Sequence, residues 1–329
     1  MDRTPDRPGD ATAGLRVAAI ALAAGVVAYL LGSVVESRVT AVYRASASQL
    51  EWVSDVVLAA AVVVSTWLWL HLRASRLRLL QLERRQGALD EQLRLAAEIQ
   101  RNLLPALPDS LLGFRFSARL VQAQRVGGDF YDFVARSDSA LAILGDVSGK
   151  GIPAALFQAS LKTLFRLIAR ETTDPAEIAA RMSAALHEET GGLPYATCIV
   201  ARFDAGPPRI TWANAGHPAG ALAQGGGFSL VESGGPPLGV LPGARYASGS
   251  ALVAKGSLGA FVTDGITEAL EGVPLSLVEA LASPEGRSAA RSPASTCDYL
   301  VRLAGEAPGP PGVQGWEDDR TVLAFACES

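Results

Sequence analysis

Asp146-Val147-Ser148-Gly149-Lys150-Gly151 follows the apolar run Ala140 to Leu144 and precedes a helix-like segment, Ile152 to Arg170. An acid at the end of a buried strand, beside small flexible residues, presents a carboxylate at a turn. Aspartate is short and a hard oxygen donor, which suits Mg²⁺ or Mn²⁺. The glycines let backbone atoms come close to a bound group. Taken alone, the stretch reads as a turn before a helix. It gains a chemical meaning only from other carboxylates in the same setting.

Working outward, the region beyond Pro108 has short apolar runs separated by glycine and proline. Strands are expected at Phe114 to Val121, Phe130 to Ala135, Ala140 to Val147, Tyr195 to Phe203, Arg209 to Ala213, Tyr246 to Val253, Leu258 to Thr263 and Thr321 to Ala326. Helical periodicity marks Ile152 to Arg170 and Pro175 to Glu189, the second with Asp174 as cap and Pro175 in the first turn. Asp129 to Val147 reads as a hairpin turning at Arg136 to Ser139. Strands, then two helices, then strands predict an α+β fold of antiparallel sheets with helices on their outer faces. Acids recur where these strands meet turns: Asp129 and Asp132 in Gly127-Gly128-Asp129-Phe130-Tyr131-Asp132, Asp146, Asp264 in Thr263-Asp264-Gly265, and Asp318 and Asp319 in Trp316-Glu317-Asp318-Asp319-Arg320-Thr321. Carboxylates gathered at one rim repel one another and persist best with divalent cations between them.

Composition narrows the class. A formal net charge of -4 argues against a nucleic-acid binder, which would usually show a basic face. The three cysteines, Cys198, Cys297 and Cys327, are scattered and odd in number, which argues against a disulfide framework. The three histidines show no zinc-ligand spacing. The hydrophobic content of 49% and mean hydropathy of +0.23 point to part of the chain lying in lipid.

Two apolar runs fit that expectation. Val17 to Val35 carries no charge, and Glu51 to Leu72 has only Asp55 and His71 as internal ionisable groups; each is long enough to cross about 30 Å of hydrocarbon as a helix. Trp52, Trp67 and Trp69 suit the interfaces. Arginines before the first run (Arg3, Arg7, Arg16) and after the second (Arg73, Arg76, Arg78, Arg84, Arg85) outweigh Arg38 and Arg44 between them, which predicts both ends in the cytoplasm. Arg73 to Leu104 lacks proline and is rich in helix formers. Leu82, Leu89, Ala96 and Leu103 recur every seven residues, with Leu79, Gln86, Leu93 and Gln100 as the partner row. This predicts a marginal dimer stalk, or else one amphipathic helix packed on the next domain. Pro105 and Pro108 end it. The expected plan is a tail at 1–16, two transmembrane helices with a short external loop at 17–72, a helical stalk at 73–108 and a cytoplasmic domain at 109–329.

The motifs Gly127 to Asp132, Asp146 to Ala155, Asn214-Ala215-Gly216-His217-Pro218, Pro237-Leu238-Gly239, Thr263 to Ala269 and Asp318-Asp319-Arg320-Thr321 occur in that order. Together they resemble the PPM (protein phosphatase 2C-like) family, in its SpoIIE-type bacterial branch, over roughly Glu98 to Ala326. The run Ile99 to Pro105 is similar to the helix that leads into the domain in that branch. The resemblance implies two antiparallel β-sheets sandwiched between α-helices, with two Mn²⁺ or Mg²⁺ ions at one end. It matches Asp146 to the aspartate bridging both metals, the Val147 carbonyl to the backbone ligand, and Asp264 and Asp318 to the aspartates on one metal. Asp129 matches an acid whose role varies within the family, and Asp319 replaces Asp318 if the register shifts by one. Asp129, Asp146, Asp264 and Asp318 are therefore the expected catalytic set. Gly128 stands where the wider family often has glutamate, leaving one metal with fewer protein ligands.

A two-cation site needs no protein nucleophile, and none stands out: Ser148 lacks the Gly-x-Ser-x-Gly setting and Gly149-Lys150-Gly151 lacks phosphate-loop spacing. His217 reads as a hydrogen-bonded loop histidine ahead of a general acid, and Arg125 as a solvated arginine ahead of a phosphate contact. The region Glu271 to Gly315 is least like the family and is expected to hold one or two helices, such as Leu275 to Ala282 and Ala294 to Ala304. The expectation is a bacterial inner-membrane, multi-pass, metal-dependent protein serine/threonine phosphatase, homodimeric through its stalk. Its expected substrate, again by resemblance, is a phosphorylated anti-anti-sigma (STAS-type) protein of a partner-switching pathway. The rival is a non-catalytic, membrane-tethered phosphoprotein-binding module.

Overall fold

The computed structural model describes residues 9–40, 47–224, 226–232, 234–271, 276–307 and 317–328. Contacts divide the chain into two units, Met1–Leu89 and Asp90–Ser329.

In the first unit, α1 (Gly9–Thr40) contains the first apolar run, and α2 (Ala47–Asn102) begins with the second. Large apolar side chains such as Leu22, Tyr29, Val57, Val63 and Trp67 lie exposed along them. Three of the described hydroxyls bond back to their own helix, Ser33 Oγ to the Leu30 carbonyl at 3.2 Å, Ser37 Oγ to that of Val34 at 3.0 Å and Thr66 Oγ1 to that of Val62 at 2.7 Å, so each of these donors is satisfied within its own helix. Residues 1–8 of the tail expected at 1–16, residues 41–46 of the loop between the runs, and the side chains of Arg38, Arg44, Glu51 and Trp52 lie outside the described residues, whereas α1 runs through the rest of the tail and into the expected loop as far as Thr40. α2 stops before Pro105, as the missing N–H and fixed φ of proline require.

The second unit begins at Asp90, within the segment read as stalk. Its strands are β1 (Ser110–Leu111), β2 (Phe114–Val121), β3 (Phe130–Ala135), β4 (Ser139–Val147), β5 (Ala196–Ala205), β6 (Pro208–Ala215), β7 (Gly220–Gln224), β8 (Gly227–Val231), β9 (Ser248–Leu252), β10 (Leu258–Val262) and β11 (Arg320–Cys327). They form two sheets, ordered β1-β2-β11-β10-β7-β8 and β3-β4-β5-β6-β9, and every pairing is antiparallel. β3 and β4 make the expected hairpin, closed by the Arg136 N–H donating to the Ser139 carbonyl. α3 (Ile152–Glu171) and α4 (Pro175–Thr190) pack on the five-stranded sheet; α5 (Asp264–Glu271), α6 (Leu277–Ala282), α7 (Pro284–Ala289) and α8 (Pro293–Glu306) belong with the six-stranded one. Asp174 caps α4 by accepting from Ala176 N–H at 3.0 Å, which satisfies one of the four orphan donors of a helix start.

Three apolar layers follow from strand alternation. In β4, Leu141 and Ile143 join the core under α3 and α4, whereas Ala140, Ala142 and Leu144 join the core between the sheets. In β10, Phe261 faces between the sheets and Val262 faces the helices; in β11, Leu323 and Phe325 face inward while Val322 and Ala324 face outward. The inter-sheet layer is dominated by phenylalanines in edge-to-face contact, such as Phe116, Phe203 and Phe325.

Several expectations need correcting. The strands β7 and β8 were not anticipated, because glycine and polar residues mask their alternation. Thr263-Asp264-Gly265, expected as a strand end and turn, instead starts α5 at Asp264. Between Glu271 and Gly315 three helices form, α6 to α8, with 272–275 and 308–315 outside the described residues. The extra one, α7, begins where Ser283 closes α6 and also caps its successor by accepting from Gly286 N–H. Gln100, expected in the partner row of a stalk seam, is buried in the second unit, and Leu93 is half-buried there. The last turns of α2 therefore pack as an amphipathic helix, while Leu79, Leu82 and Leu89 stay exposed.

Candidate metal centre

Alternation places the acids. Asp146 lies two residues beyond Leu144 in β4, so it continues the inter-sheet face at the end of the strand. Asp129 stands two before Tyr131, another inter-sheet residue. Thr263 and Thr321 hold the same parity relative to Phe261 and Leu323. All four converge at one end of the cleft between the sheets, joined by Asp264 from the first turn of α5.

Asp129, Asp146 and Asp264 each offer an oxygen within 4.8 Å of the others. Asp129 is almost wholly buried, and its Oδ2 accepts from Thr263 Oγ1 at 2.8 Å and Thr321 Oγ1 at 2.5 Å. Burial first and the charge of Asp146 second hold its carboxyl well above the usual range, against the two threonine bonds. Burial, followed by Asp264, Asp318 and Asp319, pushes Asp146 up to about 7. Asp264 is raised by burial, then by Asp318 and Glu268, and its Oδ1 accepts from Gly265 N–H at 2.9 Å.

The Asp318-Asp319 pair divides its work. Asp318 Oδ1 accepts from Lys150 Nζ at 3.3 Å, and its charge is felt by Asp146 and Asp264, although it stands outside the group of three. Asp319 turns back into the loop before β3, where Oδ1 accepts from Ala123 N–H at 2.9 Å; burial raises its carboxyl, opposed by the backbone N–H groups of Ala123, Asp129 and Gly128. Asp319 thus holds the loop that carries Asp129.

A cavity of about 190 Å³ opens here, lined by Gly127, Gly128, Asp146, Val147, Lys150 and Asp318 among others. Gly128 has no room for a side chain, since a Cβ would lie 2.6 Å from Asp146 Oδ1 and 2.7 Å from the Val147 carbonyl oxygen. A side chain at 127 would collide with the Asp319 carboxylate. The two glycines therefore let the loop close against the end of β4. The turn after Asp146 uses Gly149 and Gly151 at positive φ, +101° and +78°, to enter α3, which is a helix start and not a nucleotide loop.

Hard oxygen donors held close together despite mutual repulsion are what Mn²⁺ or Mg²⁺ takes, so Asp129, Asp146, Asp264 and the adjacent Val147 carbonyl fit divalent cations, with Asp318 in reserve at the rim. His217 does not line the cavity. It is buried, shares a 2.8 Å hydrogen bond through Nδ1 with Thr197 Oγ1, and has its backbone bracketed by the Asn214 side chain. Burial lowers its pKa to about 3, so it is neutral at physiological pH. Arg125 is half exposed, 3.8 Å from Asp90.

Sequence reading did not single out Thr263, Thr321 or the Lys150–Asp318 pair. For the threonines a signal was present: each stands at the end of a strand, on the parity of its inward phenylalanine or leucine. Nor did it find that Asp132, wholly buried, is paired in a bidentate manner with Arg166 on α3, at 2.6 and 3.0 Å.

Residues 136–328 match the family described as Stage II sporulation protein E (SpoIIE). Asp146, Asp264 and Asp318 fall within the matched span and Asp129 just before it. The phosphoserine phosphatase RsbU of Bacillus subtilis (strain 168) is 25% identical over 185 residues, covering 56% of this chain and 55% of RsbU; the chain spans about half the length of that curated relative. A solved structure of RsbU and RsbW domains from Mycobacterium tuberculosis is 26% identical with a TM-score of 0.54, covering 68% of this chain and 62% of that one. The SiaA-PP2C domain of Pseudomonas aeruginosa, 22% identical, has the same fold with a TM-score of 0.60, covering 73% and 97% respectively.

Proposed function

The chain belongs to the SpoIIE family, a branch of the PPM phosphatases, and from that premise we propose that it is a membrane-anchored, metal-dependent protein serine/threonine phosphatase. The observation that carries the reading is the set of three carboxylates brought within 4.8 Å at one end of the inter-sheet cleft. Asp129, Asp146, Asp264, the Val147 carbonyl and Asp318 would hold two Mn²⁺ or Mg²⁺ ions. Such ions lower the pKa of bound water and neutralise phosphoryl charge during in-line attack. The chain's own part is positional: Thr263 and Thr321 aim Asp129, Asp319 pins its loop, and Lys150 sits at the mouth as a cation for substrate phosphate. The substrate is a phosphorylated protein, and the kinship with RsbU supports a STAS-type, partner-switching one.

Anchoring rests on the exposed apolar surface of α1 and α2: the helical stretch beginning at Val53 has a window of mean hydropathy 1.9 with none of it buried. Surface of that kind and length suits a bilayer. Ile152–Glu171 reaches a hydropathy of 1.2 but is α3, packed on the sheet. The arginine distribution supports an inner-membrane, multi-pass protein with both ends in the cytoplasm, and the exposed heptad leucines support dimerisation through α2.

The test uses the full chain in detergent micelles, Mn²⁺ and a phosphoserine STAS-type protein. Phosphate release that needs Mn²⁺ and vanishes in Asp146→Ala is expected. Binding of Mn²⁺ and phosphoprotein without turnover would identify a binding module instead.

A further inference from the structure

The buried polar groups include one that the catalytic set does not use. Gln100 lies in the last turn of α2, only 4% exposed. Its carboxamide has two N–H donors and two acceptor positions, and all four are taken. Nε2 donates to the Gly127 carbonyl at 2.8 Å and to Gln158 Oε1 on α3. Oε1 accepts from Gln122 Nε2 at 2.5 Å and from Gly127 N–H at 3.3 Å. A single side chain thus grips both backbone groups of Gly127, the residue two before Asp129.

Gly127 is held from its other side as well, since the Asp319 carboxylate occupies the space where a Cβ would stand. Next in sequence, Gly128 lies against Asp146 and the Val147 carbonyl. The helix end is fastened at a second point, where Lys162 Nζ donates to the Leu103 carbonyl at 2.5 Å. Gln158, Lys162 and Arg166 stand four residues apart on α3, forming one stripe. The stripe receives Gln100, Leu103 and Asp132 in turn. An apolar residue at 100 would fill the same volume without any of these bonds, so burial alone does not explain a glutamine there.

We propose that Gln100 is a positioning residue: from the end of α2 it fixes the Gly127-Gly128 backbone that presents Asp129, and so sets how tightly the acid cluster holds divalent cations. The proposal rests on the metal-dependent reading of the site but not on turnover.

The experiment compares the full-length protein with Gln100→Met, which keeps length and volume, measuring Mn²⁺ dissociation constants by calorimetry, thermal stability, and hydrogen exchange of residues 122–130 without metal. Losing the bonds that orient a ligand loop is expected to weaken Mn²⁺ binding by roughly tenfold and to speed exchange in 122–130. Phosphate release at saturating Mn²⁺ stays within about threefold of wild type, because the ligands themselves remain. A folded Gln100→Met protein with the wild-type Mn²⁺ dissociation constant overturns the proposal. If that variant does not fold, Gln158→Met, which removes one bond of the four, is read the same way, with roughly threefold weaker Mn²⁺ binding expected and no change overturning it. Mn²⁺ binding by the wild type without phosphate release would sink the phosphatase reading while leaving this one to be decided by calorimetry.

Discussion

Gly128→Ala tests whether the loop before β3 must touch the end of β4. The added Cβ would lie 2.6 Å from Asp146 Oδ1 and 2.7 Å from the Val147 oxygen. Carbon–oxygen contacts settle at about 3.3 Å, so roughly 0.6 Å of movement is needed. The Asp146 carboxylate is the end of a short side chain and yields first; the Val147 carbonyl is strand backbone and resists. Ligand distances in metal sites tolerate only about 0.2 Å, so the substitution pushes at least one proposed ligand out of place. Disturbances of this kind weaken metal binding by about 10- to 100-fold, or roughly 1.4 to 2.7 kcal/mol. The assay is a Mn²⁺ titration of the full chain by calorimetry, repeated with phosphate release as the readout. Gly87→Ala is the control, because no atom lies within 4 Å of its Cβ. An unchanged Mn²⁺ dissociation constant in Gly128→Ala would refute the argument that this glycine exists to let the cluster close.

Three further outcomes are expected. Asp146 is raised to about 7 when folded, from 3.8; its contribution to stability is whole below pH 3.8 and lost as pH rises through 7. Metal-free Asp146→Asn should therefore melt higher than the metal-free wild type at pH 8 but not at pH 3.5, and should lose the melting increase that Mn²⁺ gives the wild type. Lys162 is lowered from 10.5 to about 8, by burial first and Arg166 further, against Asp132. The unfolded chain then binds the extra proton between those values, so stability rises with pH from about 8 to 10.5, and the slope should be smaller in Lys162→Met by thermal melting. In membranes, Leu82→Cys should give disulfide-linked dimers on mild oxidation if α2 pairs along its exposed leucines; monomers under all conditions would remove the stalk dimer.

The legible part of the fold was the part with clean periodicity. β2 and β3 could be bounded to the residue because each apolar run is flanked by glycine or a polar or charged residue, Gly113 and Gln122 for β2 and Asp129 and Arg136 for β3, and α4 because Asp174-Pro175 announces its start. β7 and β8 were hidden because Gly220, Gly227 and Ser229 interrupt the alternation, and their burial comes from the neighbouring β10 and α6. Among site residues, Asp129, Asp146 and Asp264 were visible as acids beside turns, and the structure brings those three together. Asp318 was visible in the same way but sits at the rim with Lys150, since its partner Asp319 takes the inward hydrogen bonds. What could not be read was which residues hold the acids. Thr263, Thr321 and Gln100 come from three distant segments, and only the register of β10 against β11 and the landing of α2 on α3 make them neighbours.

The alternation in β4 has a consequence for how this chain tolerates change. Leu141, Ile143 and Val147 serve the helix layer while Ala142, Leu144 and Asp146 serve the cleft, so the aspartate's address is an even count along one strand. Conservative replacements within that strand keep the count and leave the carboxylate facing the cleft. One residue inserted or deleted between Leu144 and Asp146 reverses it, delivering a carboxylate into the apolar layer under α3 and a valine into the acid cluster. Strand length at this point behaves as a ruler with two marks, and small insertions there should be far less forgiving than substitutions of comparable chemistry.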